Sequence, residues 1–188
     1  MANVNHSTLT DPYLHEPKGV AAAANGSVYF ADGAGSGDWN HPIHYVGGYV
    51  DFDTTTPETQ AITTTFSPLN PTFAFAENSG FTAIASPNAR IQYDEPENGI
   101  ATISFTTSIR HSAGGARDVE LAVYKNGTII SGAHMIQTTD NDDWNNMTLV
   151  GNTELTTNDY IEIWAKASQA ITLETASSFL TIKSVYTP

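Results

Sequence analysis

The sequence contains no cysteine. That excludes a disulfide framework and a thiolate zinc site, leaves the redox compartment open, and assigns stability to packing or assembly. Cations are nearly as scarce, with seven Lys and Arg against twenty Asp and Glu, a formal charge of -13. A chain so acidic repels exposed phosphate, so neither nucleic acid nor an anionic membrane is an expected partner. Charge of either sign is low, at 14% of residues against roughly 25% in an average globular chain. The surface is therefore expected to consist largely of Thr, Ser, Asn and Gln. No apolar run approaches the ~18 residues of a membrane helix. Nor does a basic region with an apolar stretch follow Met1, so the expectation is a protein made and used in soluble form.

What is present is enough for one core. The 188 residues are 40% hydrophobic and 10% aromatic, which suits a single domain with or without an arm. From about Tyr45 onward, short β-branched runs alternate with turn chemistry. In "ATISFTTSI" the residues Ile103, Phe105 and Ile109 share one face, opposite Thr102, Ser104, Thr106 and Ser108, as a half-buried strand requires. "DVELAVYKNGTII" puts Val119, Leu121 and Val123 on one face and then offers Asn126-Gly127, the pair favoured in a type I′ hairpin. "MTLVG", "DYIEIWAKA", "ITLET" and "SSFLTIKSV" follow at spacings too short for crossover helices. Upstream, "HYVGGYVDFD", "AITTTF" and "ARIQY" read as further strands. Pro57, Pro68, Pro71, Pro87 and Pro96 confine their surroundings to turns and edges. About eight to ten strands suit an all-β, antiparallel two-sheet jelly-roll sandwich over residues 44–188.

Residues 1–43 differ in kind. Glycine and proline punctuate them too often for a core element, although "GSVYFADG" suits one short strand. They are expected to form an extended N-terminal arm, which at roughly 3.3 Å per residue reaches on the order of 130 Å. No fixed-period repeat or heptad is visible, which disfavours a shaft or solenoid.

Several motifs invite chemistry and fall short of it. "GAGSG" at Gly33 to Gly37 is followed by Asp38-Trp39-Asn40 rather than the Lys-Ser/Thr of a phosphate cradle. His41 and His44 in "HPIH" are spaced like a ligand pair, but Pro42 breaks a regular helix and the expected reading is two surface or interface histidines. His15, His111 and His134 have no nucleophile or carboxylate partner nearby in sequence. Asp140, Asp142 and Asp143 in "TTDNDDWNN" supply oxygen ligands, but Trp144 interrupts the calcium-loop spacing, which leaves a solvated acidic loop. The sequons at Asn5, Asn25, Asn126 and Asn146 are read as chance matches. Asp94, Glu95, Glu97, Asp142 and Asp143 fall in apparent loops without the paired-carboxylate pattern of a glycosidase. No catalytic, cofactor or metal site is expected, and the chain is read as a non-enzyme. Tyr160 and Trp164 lie opposite Ile161 and Ile163, and Tyr124 lies opposite Val123. These outward rings make Tyr124, Tyr160 and Trp164 the expected trimer interface, with ordinary surface aromatics as the competing reading.

With these residues in view, the segment from His44 to Val185, carrying "GGYVDFD", "YKNG" and "LTTNDYIEIWAKASQAITLETASSFLTIKSV", resembles the complement-type and tumour-necrosis-factor-like trimeric jelly rolls. Asn158-Asp159 stands where that superfamily has Gly-Asp. The leader "DPYLHEPKGVAAAANGSVYFADGAGSGDW" resembles the N-terminal segment of bacteriophage head decoration, cement or head-fibre proteins. The resemblance implies a homotrimer on the outer capsid surface of a virion, made in the host cytoplasm, with the major capsid protein as partner. It implies a capsid-binding arm carried by Leu14, His15, Glu16, Pro17, Lys18, Gly19, Val20, Val28 and Tyr29. Decoration and stabilisation of the head is the expected function. A phage fibre or tip adhesin that binds a cell-surface glycan or receptor is the alternative.

Overall fold

A strand with one face in the core hides every second side chain, and two of the long strands of this chain show the pattern plainly. In Gly99–His111 the odd-numbered residues are buried, and in Asn145–Leu155 Met147, Leu149, Gly151 and Leu155 are. The computed structural model describes residues 22–31, 37–84, 90–141 and 143–187. The chain divides into two units between Pro42 and Ile43.

The first unit holds a two-stranded ribbon, β1 (Val28–Ala31) and β2 (Gly37–Asn40), paired antiparallel. This part of the leader is folded back on itself rather than extended. The second unit contains β3 (Ile43–Val50), β4 (Glu58–Ile62), β5 (Ser67–Pro68), β6 (Ala74–Ser79), β7 (Phe81–Ile84) and β8 (Arg90–Tyr93). It continues through β9 (Gly99–His111), β10 (Arg117–Lys125), β11 (Thr128–Thr139), β12 (Asn145–Leu155), β13 (Tyr160–Ala167) and β14 (Ile171–Tyr186). No α-helix occurs among the described residues.

These strands form two six-stranded antiparallel sheets. One runs β12-β9-β14-β3-β6 with β4 also on β14, and the other runs β11-β10-β13-β8-β7 with β5 also on β13. Spatial neighbours are mostly distant in sequence, and the chain crosses between the sheets at every step from β4 to β7, again from β8 to β9 and β9 to β10, and at every step from β11 to β14. This is the antiparallel jelly-roll sandwich expected from the alternation. Between the sheets lie Ile103, Phe105, Leu121, Val123, Met147, Ile163, Leu180 and Ile182, all essentially without exposure. At about 3–5 kcal/mol for truncating a buried Phe, the loss of Phe105 alone would remove a large part of a domain's net stability.

Two local features follow from residue type. Asn126 and Gly127 take φ of 51° and 75° between β10 and β11, the left-handed pair that a type I′ turn needs. On β14 the register shifts between Thr175 and Ser177, so β14 pairs β4 on one side of the bulge and β3 on the other. The bulged Ala176 keeps its carbonyl satisfied by accepting from the Asp53 amide at 2.8 Å.

Candidate functional site

Of the leader residues singled out, Leu14, His15, Glu16, Pro17, Lys18, Gly19 and Val20 lie outside the described residues. Val28 and Tyr29 open β1, opposite Asn40 and Trp39. The Tyr29 and Trp39 rings meet edge-on with centroids 5.4 Å apart, so Tyr29 is anchored within the ribbon, whereas Val28 is 47% exposed.

Tyr124, Tyr160 and Trp164 come together on the outward side of the β13 sheet, and each has a partner within the chain. Tyr124 and Trp164 stack with centroids 4.2 Å apart. Phe66, from the segment joining β4 to β5, lies over Tyr124 at 5.8 Å and over His134 at 5.9 Å, and the Lys166 ammonium lies 4.8 Å from the Phe66 ring. Burial pushes the Tyr124 hydroxyl pKa up. Beneath this cluster is a charge that alternation would have put in solvent. Glu162 is 1% exposed; its Oε1 accepts from Arg90 Nε at 2.9 Å and Nη2 at 2.7 Å, and its Oε2 accepts from Trp164 Nε1 at 3.1 Å. The Arg90 guanidinium in turn covers the Tyr160 ring at 4.3 Å. A forked, hydrogen-bonded pair of this kind compensates the cost of burying the carboxylate.

The opposite outward surface, on the β14 sheet, is of another character. Register aligns it into rows across β3, β14, β9 and β12: Tyr49-Phe179-Thr106-Thr148, Gly47-Thr181-Ser104-Val150, Tyr45-Lys183-Thr102-Asn152 and Ile43-Val185-Ile100-Glu154. Phe179, Val150 and Ile100 are 52%, 55% and 49% exposed, with Tyr45, Tyr49, Ile43 and Val185 also open. In these four rows, on a chain with twenty acidic residues, Glu154 at a corner is the sole carboxylate and Lys183 the sole cation. Few charges and several exposed aromatics are the composition found at the cores of protein–protein contacts. Periodicity alone pointed to the rings of the other sheet. The signal for this one lay in the Thr/Ser positions, where an exposed strand of an acidic protein would ordinarily carry charge.

Within this surface is a groove of about 450 Å³, lined by Tyr45, Gly47, Tyr49, Phe179, Thr181 and Lys183 among others. Among the described side chains, none comes within 4 Å of where a side chain at Gly47 would begin, and its register partner on β6 is Glu77.

The remaining sequence candidates are dispersed. His44 is buried, with Nδ1 3.4 Å from Glu95 and Ser184 opposite it in register, while His41 belongs to the first unit beside Gly26. His111 is buried with Nε2 3.0 Å from the Thr139 carbonyl, and His134 Nε2 is 2.8 Å from Glu120. Of the acidic loop, Asp142 lies outside the described residues. The adjoining Trp144 ring carries the Arg110 guanidinium at 4.6 Å, and Arg110 Nε donates to Glu174 at 2.7 Å. Asp94 accepts from Gln92 at 3.2 Å, and the buried Tyr93 hydroxyl donates to the Glu97 carbonyl at 3.0 Å. Among the described residues, no three His, Cys, Asp or Glu side chains are grouped as metal ligands.

The turn before β13 shows why Asn158-Asp159 can stand for Gly-Asp. Asn158 takes φ of 70°, a left-handed conformation that Asn tolerates better than most residues. Asp159 accepts from the Thr156 amide at 2.9 Å, from Lys125 at 3.2 Å and from the Asn126 side chain. Burial acts to raise its pKa, but these donors outweigh it and hold the carboxyl below its ordinary value.

No family model matches the chain, and no curated protein does. Among solved structures it is similar to Eiger TNF from S. frugiperda, at 8% identity and a TM-score of 0.48, covering 77% of this chain and 94% of that one. It is similar to murine APRIL, at 12% identity and a TM-score of 0.47, covering 76% and 99%. It is also similar to PRD1 vertex protein P5, at 10% identity and a TM-score of 0.44, covering 77% and 97%. At these identities the likeness is one of fold alone.

Proposed function

We propose that this chain is a non-enzymatic structural protein of a bacteriophage virion that decorates and stabilises the outer capsid surface as a trimer. The observation that carries the proposal is the scarcity of charge in the four rows that cross β3, β14, β9 and β12 on the outward side of their sheet. Copies with a formal charge of -13 repel one another everywhere except through such a surface. The leader, by its resemblance to those of head decoration proteins, supplies attachment to the major capsid protein. Three leaders on one trimer bind with high effective concentration once the first is engaged. Binding to the assembled lattice in preference to free capsid subunits stabilises the head by mass action.

Light scattering on the full chain gives its mass, and co-sedimentation with undecorated heads compares it with a chain lacking residues 1–42. The expected result is a trimer in both, head binding by the full chain alone, and greater heat resistance of the decorated heads. If neither form sediments with heads and both bind host cells or a glycan, the fibre or tip adhesin takes the place of this reading.

A further inference from the structure

Asparagine precedes glycine three times in the chain, at Asn25, Asn98 and Asn126. Glycine has no Cβ to shield its amide or restrain its backbone, so in this dipeptide the glycine nitrogen can reach the preceding side-chain amide carbon and close a succinimide. The fold treats the three pairs differently. Asn126 is held at both ends of its amide: Nδ2 donates to Asp159 Oδ1, and Oδ1 accepts from the Tyr160 amide at 2.9 Å. Asn98 leads into the strand ladder. Its carbonyl accepts from the Thr187 amide at 3.0 Å and hydroxyl at 3.2 Å, and the buried Gly99 pairs with Leu155 on one side and Tyr186 on the other. Asn25 is exposed, and no described residue holds its side-chain amide. With Gly26 it forms the centre of a turn closed by the Ser27 amide donating to the Ala24 carbonyl at 3.1 Å. Gly26 takes φ of 87° there, as a type II turn requires, and its own nitrogen has no part in the closing bond.

We propose that Asn25 is a site of spontaneous covalent modification, converting to aspartate and isoaspartate through a succinimide with Gly26, while the fold protects Asn98 and Asn126. The Gly26 nitrogen attacks Asn25 Cγ and gives up its proton. The Cγ–Nδ2 bond breaks, and Nδ2 takes up a proton and leaves as ammonia. Water then opens the ring. Cleavage at Cγ gives aspartate, and cleavage at the backbone carbonyl carbon gives isoaspartate, so water is the only co-reactant and nothing is oxidised. The His41 ring lies beside Gly26, with Cε1 3.5 Å and Nδ1 3.8 Å from where a side chain there would begin. This puts an imidazole within reach of the departing amide proton through one water. Conversion falls in the first unit, just before β1. The leader then gains one negative charge and, as isoaspartate, one backbone carbon at the entry to the ribbon, while the two sheets of the second unit are unaltered.

The full chain is incubated at neutral pH, native and in urea, and digested with trypsin. Cleavage after Lys18, Arg90, Arg110, Lys125 and Lys166 puts the three pairs in separate peptides, and mass spectrometry with electron-transfer fragmentation follows each and identifies isoaspartate. In the native chain Asn25 is expected to convert about tenfold or more faster than Asn98 and Asn126, which must first open locally. In urea the three should convert at similar rates. Asn25→Gln should stop the acidic shift seen on isoelectric focusing, His41→Phe should slow it, and Asp159→Ala should raise conversion at Asn126 more than at Asn98. Native conversion of Asn25 no faster than that of Asn98 or Asn126 overturns the site. An unchanged rate in His41→Phe overturns the part given to the imidazole, and protection of Asn126 that survives Asp159→Ala overturns the part given to the clamp.

Discussion

The rings of Tyr124 and Trp164 lie on neighbouring strands as a stacked pair, 4.2 Å between centroids and 12° from parallel. Phe66 lies over Tyr124, and Glu162 accepts from the Trp164 indole. Trp164→Ala therefore removes ring contact and the indole donor to Glu162 together. A loss of about 3 kcal/mol is expected in denaturant unfolding, with the trimer mass unchanged by light scattering, because the proposed subunit contact is on the other sheet.

Arg90 and Glu162 are predicted to be worth more together than apart. Arg90→Ala leaves a carboxylate buried without its fork and is expected to cost about 3 kcal/mol. Replacing both partners, as Arg90→Met/Glu162→Leu, is expected to recover most of that. A double-mutant cycle measures the coupling.

Asp159 makes stability depend on pH on the acid side. Its carboxyl ionises more readily in the folded chain than at its ordinary value, so near pH 4 the unfolded chain binds more protons and stability rises with pH. The contribution is full above the unfolded value of about 3.9 and is lost as pH falls through the lower folded value. Asp159→Asn is expected to unfold more easily at pH 7 by about 1–2 kcal/mol. Its deficit relative to the native chain should shrink below about pH 4; urea titrations at pH 7 and pH 3 measure both.

Asn158 is next to it in the left-handed region. Asn158→Val is expected to destabilise by about 1–2 kcal/mol, whereas Asn158→Gly should stay within about 0.5 kcal/mol of the native chain, the relief of φ being offset by the lost contact with Gln92. Thermal unfolding of both variants distinguishes backbone strain from side-chain contact.

Phe179→Glu puts a carboxylate between Tyr49 and Thr106 in the first of the four rows. A folded monomer is expected, and with single leaders in place of three its affinity for heads should fall by about 10²-fold or more. Co-sedimentation over a range of concentrations measures this.

The strands were legible because a half-buried sheet writes itself as period two. Ile103, Phe105, Val119, Leu121, Ile161 and Ile163 are all buried as their alternation requires, and Asn126-Gly127 turns where it should. Alternation says which residues share a side and is silent on what covers that side. Tyr124, Tyr160 and Trp164 therefore read as rings facing out, while their cover, Phe66 and Arg90, comes from segments with no periodic link to β10 or β13. Glu162 was hidden for the same reason, since its partner is 72 positions away. In the leader, β1 and β2 pair and Tyr29 and Trp39 meet across the ribbon, a contact that spacing alone does not reveal.

β14 lies between β9 and β3, and both of those precede it in the chain. As the polypeptide leaves the ribosome, β3 and β9 emerge with an empty slot between them, and β10 to β13 are made before the strand that fills it. Each partly made chain thus carries two open strand edges bordered by exposed apolar side chains, the kind of surface that recruits other chains. Closure is the work of one late, long-range docking step, in which thirteen residues of β9 find their partners on β14, and pairing so dominated by non-local contacts favours slow folding.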